Sequence, residues 1–160
     1  ATQGQVAAFI DTGRPALALD PLRIAADGGV AAVVAEALAW ASPRLADGPV
    51  LIYSTARPDA VQETQAALGA AHAGALIEAA LAQIAQGLAV QGVRQLIVAG
   101  GETSGAVVQA LGLTQLAIGE QIDPGVPWCA GHAQAVQARM SVVLKSGNFG
   151  AADFFTRAFQ

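Results

Sequence analysis

The sequence has 160 residues, 54% of them hydrophobic, with a formal net charge of -4 and an isoelectric point near 4.9. A chain of this length and apolar content can bury the core of one domain. It lacks the basic surface that displaces counterions from phosphates, which excludes general binding to nucleic acid.

The first part of the chain predicts alternating helices and strands. In order, a helix, a strand, a helix and a strand are expected at residues 2–12, 15–20, 28–40 and 49–55. The first helix is amphipathic and places Val6, Phe9 and Ile10 on one side. The second strand is a continuous apolar run that ends in hydroxyl side chains, a pattern typical of a strand buried on both faces of a parallel sheet.

The remainder predicts more helix, followed by shorter elements. Residues 59–91 favour two helices, with the break at Gly69 or Gly74. Further strands are expected at 95–99, 115–118 and 140–144, and further helices at 106–111 and 153–159. The two prolines in residues 123–128 indicate an ordered loop or an edge strand that lacks one hydrogen-bond donor.

This order of elements predicts an α/β fold, a three-layer α/β/α domain with a mostly parallel sheet. Ligands of such sheets bind at the carboxyl ends of the strands. Three polar turns are expected there, at residues 53–55, 100–105 and 145–150.

The turn Gly-Gly-Glu-Thr-Ser-Gly at residues 100–105 has the composition of an anion site. The first amides of a helix have no partners within the helix, and glycines let a ligand approach the backbone. Gly100 and Gly101 would give that access, Thr103 or Ser104 would cap the helix or donate a hydroxyl, and Glu102 would face a metal-bound phosphate, a ribose or the backbone. The alternative is a tight strand-to-helix turn without a ligand, and neither the P-loop nor the GxGxxG spacing is present.

The turn Lys-Ser-Gly-Asn-Phe-Gly at residues 145–150 supplies the cation that the first turn lacks. Lys145 is expected to be a mobile cation that neutralises phosphate, while Ser146 and Gly147 offer a hydroxyl and bare backbone. The alternative is a solvated lysine before an ordinary turn, held by Asn148.

Three blocks, at residues 98–113, 118–128 and 144–155, together resemble the C-terminal nucleotide-binding domain of the four-carbon acid sugar kinases, most closely the 3-oxo-tetronate 4-kinase branch. The resemblance implies ATP binding and phosphoryl transfer to the terminal hydroxyl of a sugar acid of 3-oxo-tetronate, threonate or erythronate type. The family's nucleotide contacts map onto Gly100, Gly101, Glu102, Thr103 and Gly147. Ser104, Lys145 and Ser146 are added here on physical grounds, and Mg²⁺ is expected to bridge the phosphates.

The resemblance also implies that residues 1–160 are one nucleotide-binding domain from the C-terminal part of a longer kinase. Family members carry an N-terminal domain that binds the acid sugar and a serine-containing loop just before the point where this sequence starts. The catalytic base is expected in that missing domain, so the fragment alone is expected to be inactive. The oligomeric state, including a homo-oligomer, stays open.

Two other functions stay open at this point: a non-catalytic nucleotide-sensing module, and an α/β enzyme that binds a different phosphorylated ligand such as a sugar phosphate. Cys129 is the single cysteine, and no signal peptide is visible, which fits a cytoplasmic protein. The apolar stretches 29–41 and 74–90 are short or interrupted by polar residues, so no membrane span is expected.

Overall fold

The computed structural model describes residues 1–54 and 58–160. The helices are α1 Thr2–Asp11, α2 Pro21–Ala25, α3 Gly29–Ala41, α4 Pro58–Leu68, α5 Ala70–Val90, α6 Gly101–Leu111 and α7 Phe154–Arg157. The strands are β1 Ala16–Ala18, β2 Leu51–Tyr53, β3 Gln95–Ala99, β4 Ala117–Asp123, β5 Val126–Ala133 and β6 Ala138–Lys145. Thr55, the end of the predicted turn at 53–55, lies outside the described residues.

The long helical region is broken once, at Gly69. This residue has φ +79°, a conformation that glycine adopts without the steric cost of a Cβ atom, and it separates α4 from α5. Gly74, the other predicted break, continues inside α5. The sequence therefore predicted the pair of helices correctly but did not decide which of the two glycines separates them.

The strands form two hydrogen-bonded groups, and the expectation of a mostly parallel sheet is wrong. β1 pairs with β2 in parallel, and a four-stranded sheet has the order β3-β6-β5-β4. In that sheet β3 and β6 are parallel, whereas β5 is antiparallel to both of its neighbours, β6 and β4. The reason is the short turns: residues 124–125 and 134–137 connect consecutive strands, and connections of that length join antiparallel neighbours.

The proline-rich segment at 123–128 is the turn of the first hairpin and the start of β5. β5 lies between β6 and β4, so it is an internal strand and not an edge strand. Pro127 faces Gln121 of β4, while pairing of β5 with β6 begins only at Cys129. The missing N–H of Pro127 thus falls where β5 has no partner strand on its β6 side.

Helices pack against both faces of the four-stranded sheet. Along β6, Met140 and Val142 belong to a core shared with α5 and α6. Val143 points to the opposite face and packs with Phe9 of α1 and Phe154 of α7. This alternation follows from the two-residue period of a strand, and it produces the mixed α/β architecture.

Helix α5 is a core helix. By length and composition it is the one helix of the described residues that could cross a membrane. It contributes Ala80, Ile84 and Leu88 to the core with α2 and α3, and Ala85 and Ala89 to the core with α6. Its apolar character is therefore explained by packing on two sides.

Candidate functional site

The two glycine-containing turns lie side by side. β3 and β6 are parallel neighbours, with Ala99 opposite Lys145 at their carboxyl ends. The N–H of Gly100 donates to the carbonyl oxygen of Lys145 at 2.9 Å. The sheet thus brings the turns at 100–105 and 146–150 together at one edge, as expected from the sequence.

The first turn is already helix. α6 begins at Gly101, five residues before the predicted start at Ala106, and Gly100 precedes it with φ +112°. The first backbone bond is that from the N–H of Ser104 to the carbonyl of Gly100, at 2.9 Å. In the described part of the chain, the amides of Gly101, Glu102 and Thr103 donate to no protein acceptor. Three N–H groups at the positive end of a helix dipole form a site that favours an anion.

Side chains do not cap this helix, so the capping role expected of Thr103 or Ser104 is wrong, while donation of a hydroxyl to a ligand stays a prediction. Gly100 occupies the N-cap position, and no side-chain hydrogen bond caps the helix. Thr103 and Ser104 lie inside the first turn, beyond the position from which a hydroxyl reaches the free amides. The Oγ of Ser104 is buried and has no hydrogen-bond partner among the described residues.

Glu102 lies beside a second carboxyl group that the sequence did not assign to the site. Burial raises the pKa of Glu78 of α5, and the neighbouring carboxyl group of Glu102 raises it further. A raised pKa means that the carboxyl group of Glu78 keeps its proton to a higher pH than an ordinary glutamate does. No group of three or more His, Cys, Asp or Glu side chains in residues 1–54 and 58–160 is arranged to hold a metal ion.

Lys145 supports the second turn from within, and the expectation of a mobile cation is wrong. The side chain is fully buried. Its Nζ donates to the carbonyl oxygens of Ser146, Gly147 and Phe149 at 3.2, 3.3 and 3.1 Å. These bonds use all three N–H groups of the ammonium. Burial lowers the pKa of Lys145.

Helix α1 holds the same loop from another side, which the sequence reasoning missed. The Oγ1 of Thr2 donates to the carbonyl of Gly147 at 2.9 Å. The side chain of Gln5 is buried, and its Nε2 donates to the loop, lying 2.9–3.1 Å from the carbonyl oxygens of Phe149, Gly150 and Ala151. The available signal was a glutamine among the apolar residues of a short amphipathic helix.

The end of the loop is tied to β4 by Asp123. Its carboxylate accepts the N–H of Ala151 at 2.9 Å and pairs with the guanidinium of Arg157. The hydrogen bond from Ala151, and then Arg157, hold the pKa of Asp123 below its ordinary value. The loop is thus fixed at its start by Lys145, along its length by α1 and at its end by β4.

Comparison with known proteins places the chain in a family of nucleotide-binding domains. Residues 1–155 match the family model described as "Nucleotide-binding C-terminal domain". The chain is 53% identical to a 3-oxo-tetronate kinase of Pseudomonas savastanoi pv. phaseolicola, over 100% of this chain and 35% of that protein. It is 56% identical to a 3-oxo-tetronate kinase of Methylobacterium radiotolerans, over 99% of this chain and 36% of that protein.

The fold is found in a solved structure as well. A crystal structure of a Haemophilus influenzae protein superposes with a TM-score of 0.87 at 36% identity, over 99% of this chain and 37% of that one. The chain therefore spans about a third of the length of the relatives that it matches.

Proposed function

The chain belongs to the nucleotide-binding C-terminal domain family of the four-carbon acid sugar kinases, and we propose that it holds ATP for phosphoryl transfer to the terminal hydroxyl of such an acid. Among the three sugar acids we propose 3-oxo-tetronate as the substrate, because the relatives from Pseudomonas savastanoi and Methylobacterium radiotolerans are named 3-oxo-tetronate kinases. The whole kinase needs residues beyond this chain, and a cytoplasmic location is part of the proposal.

The observation that carries the proposal is the set of three unpartnered amides at the start of α6. We assign the phosphates of ATP to the N–H groups of Gly101, Glu102 and Thr103, with Gly100 shaping the approach. Backbone donors fixed by a helix need little rearrangement when negative charge shifts between phosphate oxygens, which suits phosphoryl transfer.

The second turn forms the other side of the proposed site. The exposed Ser146 and the partly exposed Gly147 are available to a ligand next to α6. Lys145 would act through the loop that it supports, because its donors are occupied. The buried hydroxyl of Ser104 lies beneath the first turn and has no partner among the described residues. The role of Lys145 is therefore to keep the second turn at a fixed distance from the first.

The residues of this chain fit the anion better than they fit the metal. Mg²⁺ commonly binds through one or two carboxylates together with substrate phosphates and water. Glu102 is the exposed carboxylate at the turn, and it would meet the metal through such an arrangement. When bound, Mg²⁺ would neutralise charge on the phosphates, while the protein positions them.

The group that accepts the proton of the substrate hydroxyl would lie in the part of the kinase outside this chain. We propose that the acid-sugar-binding domain supplies the catalytic base and closes over the two turns, which would exclude water from the reacting phosphate. The 160-residue chain alone would then bind ATP without transferring its phosphoryl group to a sugar acid.

The test is titration calorimetry combined with a phosphoryl-transfer assay on the full-length protein. We expect binding of Mg·ATP and transfer to at least one of the three sugar acids. Binding of ATP without transfer to any of them would favour a nucleotide-sensing module. Binding of sugar phosphates in place of ATP would favour a different α/β enzyme, and either outcome would overturn the proposal.

A further inference from the structure

β2 and β3 line a slot in the sheet without pairing with each other. Each has a hydrogen-bonded neighbour on one side, β1 for β2 and β6 for β3. Almost all Cα pairs between β2 and β3 are more than 8 Å apart, whereas paired strands lie about 4.8 Å apart. A cavity of about 240 Å³ lies between them. This geometry is that of a sheet from which one strand is missing.

The main chain of β2 turns one set of its polar groups into the slot. The N–H of Leu51 donates to Pro15, and the carbonyl of Tyr53 accepts from Leu19, so both residues bond towards β1. Alternate residues of a parallel strand bond to opposite neighbours. The N–H and C=O of Ile52 therefore face the slot.

The same reasoning applies to β3. The carbonyl of Arg94 accepts from Ser141 and the N–H of Gly100 donates to Lys145, so the even-numbered residues of β3 bond to β6. The odd-numbered ones, Gln95, Ile97 and Ala99, face the slot, and no described residue pairs with their main chain. Unpaired main-chain groups inside a sheet are costly, and another extended backbone satisfies them all at once.

Apolar side chains cover the slot on both faces of the sheet. Phe9 of α1 and Phe155 of α7 lie on one side, and Ile84, Ala85 and Leu88 of α5 lie on the other. An occupant would bury its side chains in both directions. It would therefore be a continuous apolar run, as is typical of a strand covered on both faces.

We infer that the slot receives the segment that leads into Ala1 in the longer protein, as a strand of about five residues that matches the length of β3. Thr2 borders the cavity and donates to Gly147, just beyond the carboxyl end of β6. A chain that reaches Ala1 through the slot runs in the same direction as β3. The matched family is a C-terminal domain and this chain spans about a third of its relatives, which supports a preceding segment. The inference concerns completion of the sheet and stands independently of the proposed kinase activity.

A crystal structure of the full-length protein tests the occupant directly. We expect the main chain of the segment before Ala1 to bond with Ile52 on one side and Ile97 on the other. Direct pairing of Ile52 with Ile97, an empty slot, another segment of the protein, or a strand supplied by a second copy would each overturn the inference.

Amide hydrogen exchange in the full-length protein tests the same strand in solution. Leu96 and Val98 serve as internal controls, since their main chain bonds to β6. The amides of Ile52, Ile97 and Ala99 are expected to exchange within about tenfold of these controls. Exchange of the slot amides more than about tenfold faster would show that no strand protects them and would overturn the inference.

Discussion

The N–H of Gly100 donates to the carbonyl oxygen of Lys145 at 2.9 Å and joins the ends of two parallel strands. Gly100 is followed by the free amides of α6, and Lys145 is followed by the loop that its own side chain supports. This bond holds together two turns that are 45 residues apart in the sequence, and together they form the candidate site.

Replacing Gly101 with Val in the full-length kinase should weaken ATP binding with little effect on folding. An added Cβ meets no atom within 4 Å, so the side chain has space, yet it would stand at the free amides where the phosphates are assigned. We expect the KM for ATP to rise at least about tenfold, which corresponds to about 1.4 kcal/mol. Steady-state kinetics and a denaturant melt measure both effects.

The control for this substitution is Gly105→Val. It places the same side chain one turn later in α6, also in open space, away from the free amides. Its KM for ATP should stay near that of the wild type. Equal KM values for the wild type and Gly101→Val would contradict the assignment of the phosphates to this turn.

Ser104→Ala should leave the unliganded protein equally stable or raise its free energy of unfolding by up to about 1–3 kcal/mol. The buried Oγ of Ser104 has no partner among the described residues, so its removal relieves a desolvation cost. ATP affinity should be unchanged if the hydroxyl only lies beneath the turn. A marked rise in KM would instead give the hydroxyl a direct contact with the ligand.

Lys145→Met should lower both stability and activity. The substitution keeps an apolar stem but removes the ammonium that donates to the carbonyls of Ser146, Gly147 and Phe149. Thr2 and Gln5 still bond to two of these carbonyls, so the loop is weakened and not fully released. We expect the free energy of unfolding to fall by about 1–3 kcal/mol and the KM for ATP to rise as the loop shifts, with a lower kcat. Chemical denaturation and steady-state kinetics would measure these changes.

Arg94→Met is the matched control for Lys145→Met. Arg94 also donates to main-chain carbonyls, those of Ala89 and Val93, but it lies at the opposite end of β3. Its loss should lower the free energy of unfolding without raising the KM for ATP. If Lys145→Met impaired ATP binding while stability stayed unchanged, a direct phosphate contact would replace the loop-supporting role.

Gln5→Leu should act on the same loop as Lys145→Met, so their effects should not add. Both side chains bond to the carbonyl of Phe149, one from α1 and one from the end of β6. Once either is removed, the loop is already partly released. A double-mutant cycle in denaturant should give a coupling free energy of about 0.5–3 kcal/mol, and strict additivity would show that the two anchors are independent.

Asp123→Asn should cost stability at neutral pH and progressively less in acid. The folded pKa of Asp123 lies below its ordinary value of 3.8, because Ala151 donates to the carboxylate and Arg157 pairs with it. A depressed carboxyl pKa contributes stability that is present above about pH 3.8 and is lost as pH falls through the folded pKa. The difference in free energy of unfolding between the wild type and Asp123→Asn should therefore decrease as the pH falls below about 3.8.

The comparison for Asp123→Asn is Asp153→Asn, which removes a charge near the same guanidinium. Asp153 is more exposed and lies 3.6 Å from the Nε of Arg157. Unfolding midpoints measured from neutral pH down to below pH 3.8 should show a smaller effect for this variant. A gap for Asp123→Asn that stays constant with pH would contradict the role of its charge.

Local sequence determined much of the fold and the candidate turns. The break at Gly69, the strand at 95–99 and the anion-binding composition of 100–105 all depend on neighbouring residues, through glycine's freedom at positive φ and through apolar periodicity. The family was identified from three sequence blocks, and the match over residues 1–155 bears this out. Such features are visible in the sequence because their causes lie within a few residues.

Tertiary structure alone decided what the polar side chains contact. The sequence could not show that Lys145 is buried on its own loop, that Gln5 reaches that loop from the other end of the chain, or that Glu78 meets Glu102. It also could not show the antiparallel β4–β5–β6 pairing or the slot between β2 and β3. These features depend on which helices and strands become neighbours. That arrangement is selected by burial of apolar surface across the whole chain, between residues far apart in the sequence, so no local pattern predicts it.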